Sequence, residues 1–363
     1  MSESPVPESA PSPIDPDAPP PSPVTPVSGT LLGRVLALLH RHPLLLPVAS
    51  FAFGVGSFLL VQRGEHMARV MAVIALLGWP WLLAEGVLGR WFARRTRGRL
   101  PEATARFITQ QVQQELLFFS LPFLFTAMSA AAPGQIAFVI AAGALAVASA
   151  IDPLYWHRIA PNPALSMAFH GGCSFVASLV ILPLAVHLPV EQALPIAFGI
   201  TALTLLLSLV ALLRQTADAA AKRLCLAVGT IAAALLVLLW LGRAAIPPAG
   251  LWVREARITT TLDGFVPGAA VDQVATTQLT ETGLIAFVAV RAPRGLSQAV
   301  VFDWQQDGRL IDRIPAEITG GRDAGFRTYS RKLHFGEDPR GHWQVDLRTS
   351  QGQLIARRSV EIR

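Results

Sequence analysis

The sequence has 363 residues, of which 52% are hydrophobic and 15% are charged. A soluble globular chain carries about 25% charged residues, so this composition excludes a disordered protein and disfavours a fully soluble one. Two cysteines in the whole chain exclude a disulfide scaffold and a cysteine-rich zinc module. The net charge of +6 comes almost entirely from arginine, and its meaning depends on where the arginines lie.

Residues 1–30 are rich in proline, with ten prolines in the first 26 positions. Such a segment buries too little apolar surface to offset the entropy of ordering it, so the sequence predicts a disordered cytoplasmic tail. In residues 31–42, leucine and valine alternate with Arg34, Arg41 and two histidines. This pattern favours a short interfacial helix that lies against anionic headgroups.

A seven-helix transmembrane domain is predicted over residues 31–242, with the interfacial helix at its start. A helix needs ~20 residues to cross the ~30 Å hydrocarbon core, and its backbone groups must be satisfied within the segment. The run 116–151 is interrupted by Pro133-Gly134, so it counts as two short spans joined by a tight turn. The charge-poor runs are 42–62, 70–89, 116–151 (two spans), 159–190, 192–213 and 224–242.

Basic residues in the connecting loops predict the orientation, because cytoplasmic loops are enriched in arginine and lysine. Loops on one side hold twelve basic residues and loops on the other side hold about three. This imbalance places the N-terminus in the cytoplasm and the C-terminus outside. The stretch Arg90–Arg106 is therefore expected to contact the anionic headgroups of the lipid bilayer, and no nucleic-acid partner is expected.

Residues 251–363 mix charged and apolar residues and follow a predicted linker at 243–250. Asp307-Gly308 and Gln351-Gly352 each separate two apolar runs, which predicts β-hairpins. Seven short strands in this length favour an all-β domain with an immunoglobulin-like sandwich, and a small barrel is the alternative. The predicted strands lie near 252–260, 284–291, 299–305, 309–314, 326–334, 342–348 and 353–362.

Two tryptophans of this domain, Trp304 and Trp343, are predicted to be buried core residues. In the strand near 342–348, apolar residues alternate with polar ones, which is the period of a strand with one buried face. The side chains predicted to face the core are Trp343, Val345 and Leu347, and those predicted to face water are Gln344, Asp346 and Arg348.

Several short motifs resemble those of a bacterial family of multi-spanning inner-membrane proteins of unknown function. Those in the membrane part are Gln114–Phe119, Ile151–Tyr155 and Ala168–His170. Those in the tail are Trp304–Gly308, Gly320–Arg322, Ser330-x-Lys332 and Gly341–Val345, and they resemble the short C-terminal domain of unknown function that those proteins carry. The resemblance covers residues 31–363. It implies a bacterial inner-membrane location, which makes the outer side the periplasm, and it conveys no activity.

Ionisable residues within or at the edge of the bilayer are the main functional candidates, because placing one there costs a few kcal/mol. Five such residues lie at similar depth on the predicted cytoplasmic side: Glu85, Glu115, Asp152, His157 and His170. Carboxylates and imidazoles together could form a proton relay or a cation site. The alternative is that Glu115 and Asp152 are helix-end residues satisfied by arginine or water.

No catalytic, cofactor-binding or metal-binding residue is assigned from the sequence. It contains no nucleophile elbow, zinc-protease, phosphate-loop or dinucleotide-binding motif, so a catalytic hypothesis has no nucleophile to name. Four tail residues have a spacing that could hold Zn²⁺, but the glycines and the proline among them favour a solvated loop that needs no metal. These four residues are His334, Glu337, Asp338 and His342.

Three hypotheses about function remain open from the sequence. The first is a non-enzymatic inner-membrane anchor that presents a periplasmic β-domain to another protein or to an envelope polymer. The second is a transporter or channel that uses Glu85 and His170. The third is a membrane enzyme that acts on a lipid-linked substrate.

Overall fold

The structure, a computed structural model, describes residues 45–63, 102–215 and 218–363. The predictions for residues 1–44 and 64–101 lie outside the described residues. They concern the disordered tail, the interfacial helix, the second span, Glu85 and every arginine of the basic stretch except Arg106. From Pro47 to Arg363, the chain forms one compact unit that contains both the helices and the strands.

The first part of the described chain is helical. Its long helices are α1 (Leu45–Arg63), α2 (Glu102–Ala127), α3 (Pro133–Ala150), α4 (Pro163–Ala185), α5 (Val190–Gln215) and α6 (Ala219–Leu241). Proline at the first helical position begins α3 and α4, where its missing N–H costs nothing. A short helical turn, Asp152–Leu154, and a π-helix, Tyr155–Ile159, connect α3 to α4.

Four of the described helices, α3 to α6, are long and apolar enough to cross a membrane. The predicted count of seven spans is not confirmed. Helix α2 is not among the four, and its N-terminal part, up to residue 115, carries four glutamines together with Arg106 and Glu115. The prediction of an apolar helix beginning at residue 116 is therefore wrong in its start, because α2 begins at Glu102.

Helix α4 lies at the centre of the bundle, and most of its residues are buried. It carries no charged aspartate, glutamate, lysine or arginine, and even its polar residues His170, Ser174 and Ser178 are buried, as expected of a helix that is surrounded on all sides. Helices α5 and α6 instead expose large apolar side chains, for example Leu206 (55% exposed) and Leu238 (63%). Such exposed apolar surface is typical of a face that meets lipid or another protein.

Helix α1 crosses α2 at a point where only glycine fits. A Cβ atom on Gly54 would lie 2.2 Å from the carbonyl oxygen of Phe118, closer than any such contact can be. Gly54 therefore allows the two backbones to meet, as small residues do at helix–helix contacts in membranes. The ring of Phe51 packs edge-on against Phe118 beside this crossing, with 5.8 Å between the centroids.

The C-terminal part is all-β, apart from one short helix, α7 (Thr276–Thr282). Its long strands are β1 (Trp252–Thr259), β5 (Leu284–Arg291), β6 (Ser297–Gln306), β7 (Arg309–Thr319), β8 (Phe326–Lys332), β9 (Gly341–Thr349) and β10 (Leu354–Ile362). Each of the seven predicted strands is present. Three two-residue strands are added: β2 (Leu262–Asp263), β3 (Val266–Pro267) and β4 (Gln273–Val274).

The long strands form two sheets with a common core. One sheet has the order β1-β5-β8 and the other the order β4-β10-β9-β6-β7. Trp304 and Trp343 are both 0% exposed, so the prediction that they are core residues is confirmed. The indole N–H of Trp304 donates to the hydroxyl of Ser330 on the facing sheet across 2.9 Å.

The prediction that Asp346 faces water is wrong, because this residue is 0% exposed. Its side chain lies on the outer face of the five-stranded sheet, where arginines from β9 and β10 cover it. Arg348 is one of them, and a quarter of its side chain remains exposed. Apolar and polar residues alternate along the strand as predicted, but ion pairs with arginines exclude water from Asp346 on its polar face.

The segment predicted as a linker, 243–250, is short and packed. It begins with a turn of 3-10 helix, Arg243–Ala245, and Ile246 and Ala249 are 1% and 2% exposed. Gly250 adopts a φ of +94°, a conformation that L side chains rarely adopt, as the chain turns from the bundle into β1. The chain thus passes from helix α6 to the first strand through the interior.

Candidate functional site

Three glutamines of α2 are buried within the helix bundle. Gln110, Gln113 and Gln114 are 0%, 2% and 1% exposed. A buried amide that makes no hydrogen bond costs several kcal/mol, so each of these side chains must find partners on neighbouring elements. We call these glutamines and the side chains bonded to them the glutamine network.

The amide nitrogen and the amide oxygen of Gln110 both form hydrogen bonds with neighbouring elements. Its amide nitrogen donates to the carbonyl oxygen of Ser149 across 2.9 Å and to Oδ1 of Asp152 across 2.8 Å. Its amide oxygen accepts from the indole N–H of Trp156 across 2.8 Å. Gln110 therefore ties α2 to the end of α3 and to the connection that follows it.

Gln113 joins the connection to helix α4. Its amide oxygen accepts from the hydroxyl of Tyr155 across 3.0 Å, and its amide nitrogen lies 3.0 Å from Nδ1 of His170. When this nitrogen donates, Nδ1 accepts and the imidazole proton is on Nε2. His170 is 7% exposed, so this contact lies inside the bundle.

Gln114 faces the other side of α2, toward α1. Its amide nitrogen donates to the hydroxyl of Ser50 across 3.0 Å, and that hydroxyl donates to Oε1 of Glu115 across 2.6 Å. Ser50 is 1% exposed. The carboxylate of Glu115 is thus bonded to a residue of α1, apart from the cluster around Gln113.

The π-helix Tyr155–Ile159 positions the aromatic members of the network. Consecutive residues, Tyr155 and Trp156, both direct their polar atoms to α2, one to Gln113 and the other to Gln110. Their rings pack edge-on, with centroids 6.4 Å apart. π-Helical turns are rare and are frequent at functional sites, which makes this connection a candidate of interest.

The structure brings some of the predicted polar residues together. Asp152 and His170 form hydrogen bonds with glutamines of α2. Glu115 follows Gln114 on α2, but its carboxylate accepts from Ser50 on α1. His157 is exposed, and its Nδ1 lies 3.0 Å from the carbonyl oxygen of Pro153 in its own turn, so it takes no part in the network. Glu85 lies outside the described residues.

The glutamines themselves are the members that the sequence analysis missed. Their signal was present, because Gln110 and Gln113 stand at i and i+3, which places them on one side of a helix whose second half is apolar. Tyr155 and Trp156 could not have been found in this way, since their orientation depends on the π-helix.

The β-domain sits on the opposite end of the bundle, and the two parts share side chains. Val190 at the start of α5 belongs to the core of the β-domain, and Trp252 at the start of β1 belongs to the core of the bundle. The ring of Trp252 lies 6.3 Å from that of Phe123 on α2. We call this contact region the junction.

Three further glutamines cross the junction. Gln135 accepts from the backbone N–H of Ser129 across 2.7 Å and donates to the carbonyl oxygen of Leu354 across 2.9 Å. Gln298 accepts from the backbone N–H of Val190 across 2.7 Å, which satisfies a donor that the helix start leaves free. Gln353 donates to the carbonyl oxygen of Ile246, in the segment between α6 and β1, across 2.9 Å. All three glutamines are 0% exposed.

Exposed polar contacts border the same region. The hydroxyl of Ser350 donates to Glu191 across 2.8 Å, and the guanidinium of Arg243 donates to Gln351 across 3.3 Å and stacks over Trp240 at 5.2 Å. The turn between β9 and β10 thereby meets both α5 and the end of α6.

The glutamine network and the junction lie at opposite ends of α2, α3 and α4. Along α2, Gln113 precedes the last residue, Ala127, by a distance of about 20 Å at 1.5 Å per residue. Helix α3 begins at the junction with Gln135 and ends at the network with Ser149. The glutamine network thus lies between the helices at one end of the bundle, and the β-domain is attached at the other end.

A row of charged residues crosses the outer face of the five-stranded sheet. Asp303 on β6 and Asp346 on β9 are cross-strand neighbours, an arrangement that destabilises a sheet unless it is neutralised. Arg313 donates to Asp303, and Arg357 donates to Asp346 through two bonds of 2.7 Å. Hydrogen bonding to Asp346 raises the pKa of the Arg357 guanidinium, which keeps it charged.

Among the described residues, no group of three or more His, Cys, Asp and Glu side chains is arranged to hold a metal ion. The tail loop with His334 and Glu337 is instead attached to the sheet by Gln306. Its amide nitrogen donates to the carbonyl oxygens of Asp338 and Arg340, across 3.0 and 2.9 Å.

Comparison with known protein families gives two matches. Residues 26–286 match the model of a family of unknown function, DUF5924, and residues 297–362 match that of a protein of unknown function, DUF2914. Together they cover the bundle and most of the β-domain. Neither a curated protein nor a solved structure matches the chain.

Proposed function

Because the chain belongs to the family of unknown function DUF5924, we propose its role from its geometry. It is a non-enzymatic bacterial inner-membrane protein whose helix bundle anchors a periplasmic β-domain. In this role the β-domain meets a partner protein or an envelope polymer, and the bundle sets its position above the membrane.

The junction is the observation that carries this proposal. A domain that only needs to be tethered can hang from a solvated linker, whereas residues 246–251 are buried and three buried glutamines cross the contact. Each such bond holds polar groups that would be costly to leave unpaired. The β-domain is therefore held in one orientation, which is what a presented recognition module requires.

The strand order supports the proposed type of module. The first, second and fifth long strands form one sheet, and the third, fourth, sixth and seventh form the other. This division occurs among immunoglobulin-related sandwiches, a fold that many cell-surface recognition domains share. We take the β-domain as an immunoglobulin-like sandwich on this ground.

The distribution of charge supports a periplasmic β-domain. Basic residues at the bundle end away from the junction are Arg106, Arg158, Arg214, Lys222 and Arg223. At the junction end, the described helix termini carry two basic residues, Arg63 and Arg243. Cytoplasmic ends of membrane helices are the basic ones, so the junction end is outside.

Photo-crosslinking in living cells tests the proposal. A photoreactive phenylalanine analogue at Tyr329, which is 42% exposed on the β-domain, should give adducts with an envelope protein or polymer. The same analogue at Leu206, an exposed apolar position on α5, should give lipid adducts only. Absence of adducts from several exposed β-domain positions, or adducts with cytoplasmic proteins, would contradict the proposal.

The glutamine network favours a second candidate, a transporter or channel. His170, Gln113 and Tyr155 form a buried chain of hydrogen-bonded polar side chains, and buried ionisable groups such as this imidazole mark ion and solute pathways in membrane bundles. Purified protein in liposomes would then move protons or a small solute, and Gln113→Leu would abolish that movement while Gln111→Leu would not. Equal flux in both variants and in empty liposomes would exclude this candidate.

A further inference from the structure

One edge strand of the β-domain carries a stripe of basic and aromatic side chains. Arg327, Tyr329 and Arg331 alternate along β8 and are all exposed. Ser330 between them points into the core, where it binds Trp304, so these three side chains point outward. At about 3.3 Å per residue, the stripe spans about 13 Å.

No carboxylate that the structure describes neutralises the charge of this stripe, in contrast to the opposite sheet. There, Arg313 forms an ion pair with Asp303 and Arg357 forms one with Asp346. On β8, Arg327 donates to the carbonyl oxygen of Phe265 across 3.3 Å and Arg331 to that of Thr282 across 2.9 Å. Among the described side chains, neither has a carboxylate within ion-pair distance, so each guanidinium keeps its charge and further donors for a ligand.

An exposed apolar tip stands beside the two cations. Phe265 and Val266 at the β2–β3 hairpin are 55% and 61% exposed. The ring of Phe265 packs edge-on against Tyr329, with centroids 6.0 Å apart. The hairpin is attached by Arg327 and by Arg257, which donates to the carbonyl oxygen of Gly268 across 3.1 Å. The aromatic rings are therefore held in place next to the basic groups.

We infer that this stripe binds an acidic polysaccharide of the cell envelope. The inference rests on the proposed function and names the class of its partner. Guanidinium groups bind carboxylates through paired hydrogen bonds. The exposed faces of Tyr329 and Phe265 offer apolar surface to the C–H groups of sugar rings.

The position of the stripe disfavours lipid headgroups. Strand β5 pairs with β8 along its whole length, and Arg291 at its end lies opposite Trp252 in the junction. Arg331 pairs with Ile285 at the other end of β5. The stripe therefore extends away from the bundle, toward the part of the domain that a periplasmic polymer can reach.

The test uses the full-length protein in nanodiscs and three probes in low-salt buffer: polygalacturonate, dextran and polyglutamate. Polygalacturonate, a carboxylated polysaccharide, should bind, whereas uncharged dextran should not. Removing both charges with Arg327→Gln and Arg331→Gln should weaken polygalacturonate binding by about tenfold or more, as loss of a charge-assisted hydrogen bond does. Tyr329→Ala should also weaken it, and raised salt should screen it.

Control variants keep the test decisive. Arg309→Gln with Arg340→Gln removes two exposed arginines elsewhere on the domain and should leave binding unchanged. Arg331→Gln alone keeps the bond from Arg327 to the hairpin and should still weaken binding. No binding of polygalacturonate, equal loss in the control pair, or equal affinity for polyglutamate would overturn the inference. In the last case the ligand is an acidic peptide. Crosslinking from other faces of the β-domain would then still support the proposed function.

Discussion

Gln353 donates its side-chain amide to the carbonyl oxygen of Ile246 across 2.9 Å, although 107 residues separate the two in the sequence. Gln353 is 0% exposed and Ile246 is 1% exposed. The bond joins the turn between β9 and β10 to the segment that follows α6. A carbonyl buried at this point would otherwise be unpaired, so the bond favours one docked position of the β-domain.

The junction has consequences for the stability of the β-domain. The side chains of Val190 and Trp252 each lie in the core of the other part. Isolating residues 250–363 would therefore expose apolar groups that the full chain buries, in addition to breaking the glutamine bonds. The bundle and the β-domain stabilise each other, and measurements of stability are best made on the full chain.

The glutamine network should contribute to the stability of the bundle. Gln113→Leu removes one hydrogen-bond partner of Tyr155 and one of His170. Polar contacts between membrane helices are worth about 0.6–2 kcal/mol, so we expect a destabilisation of this size. Gln111→Leu on the same helix is the matched control, because this half-buried side chain lies outside the network. Thermal unfolding of the detergent-solubilised protein measures both, and equal midpoints would contradict a role for the network.

Asp346→Ala should destabilise the β-domain although the position is polar. It leaves the guanidinium group of Arg357 without its carboxylate and leaves Arg348 with only the longer contact of 3.8 Å to Asp303. Breaking a fully buried ion pair costs 3–5 kcal/mol, and partial exposure of both arginines reduces our expectation to about 2 kcal/mol. Asp323→Ala also removes an ion pair, with Arg291, but its side chain is 97% exposed and the change should be negligible. Pulse proteolysis across a urea series distinguishes the two.

Trp343→Ala should unfold the β-domain locally. The side chain is 0% exposed, packs against Phe335 with ring centroids 5.2 Å apart, and donates its indole N–H to the carbonyl oxygen of Pro339. Truncating a buried tryptophan costs about 3–5 kcal/mol. Gln344→Ala on the outer face should change stability by about half a kcal/mol or less. Similar urea midpoints for the two variants would show that Trp343 is not part of the core.

The sequence predicted the β-domain better than the bundle. Hairpin turns at Asp307-Gly308 and Gln351-Gly352 and the period of two in the strands are local signals, and all seven long strands are present. The outer-face ion pairs were not predictable, because alternation identifies which residues share a face and does not say what covers it. Asp346 is buried by side chains of its own strand and the next.

In the bundle, apolar run length identified helices but not their starts. Helix α2 begins fourteen residues before the apolar run that predicts its span, with glutamines and charges in its first half. Those polar residues are tolerated because the turn Tyr155–Ile159 and α4 supply partners for them. Such partners are set by tertiary contacts, so neither the glutamine network nor the junction could be derived from local patterns.

The orientation of the protein in the membrane can be tested by fusion. Alkaline phosphatase is active only in the periplasm, so a fusion after Arg363 should be active, because basic residues cluster at the bundle end away from the junction. A green fluorescent protein fused at the same position and exported through the general secretory route should be dark. The reverse pair of signals would place the β-domain in the cytoplasm.

If the β-domain is fixed on the bundle, the distance between the two parts has a single value, which can be measured. Spin labels at Leu203 on α5 and at Arg309 on β7 occupy exposed positions in the two parts, after replacement of the buried Cys173 and Cys225 by alanine. Pulsed electron resonance on the nanodisc-embedded full chain should give a single narrow distance distribution, which Gln135→Leu with Gln353→Leu should broaden. A broad distribution in the protein without these substitutions would contradict the account, because it would show that the domain moves freely on a tether.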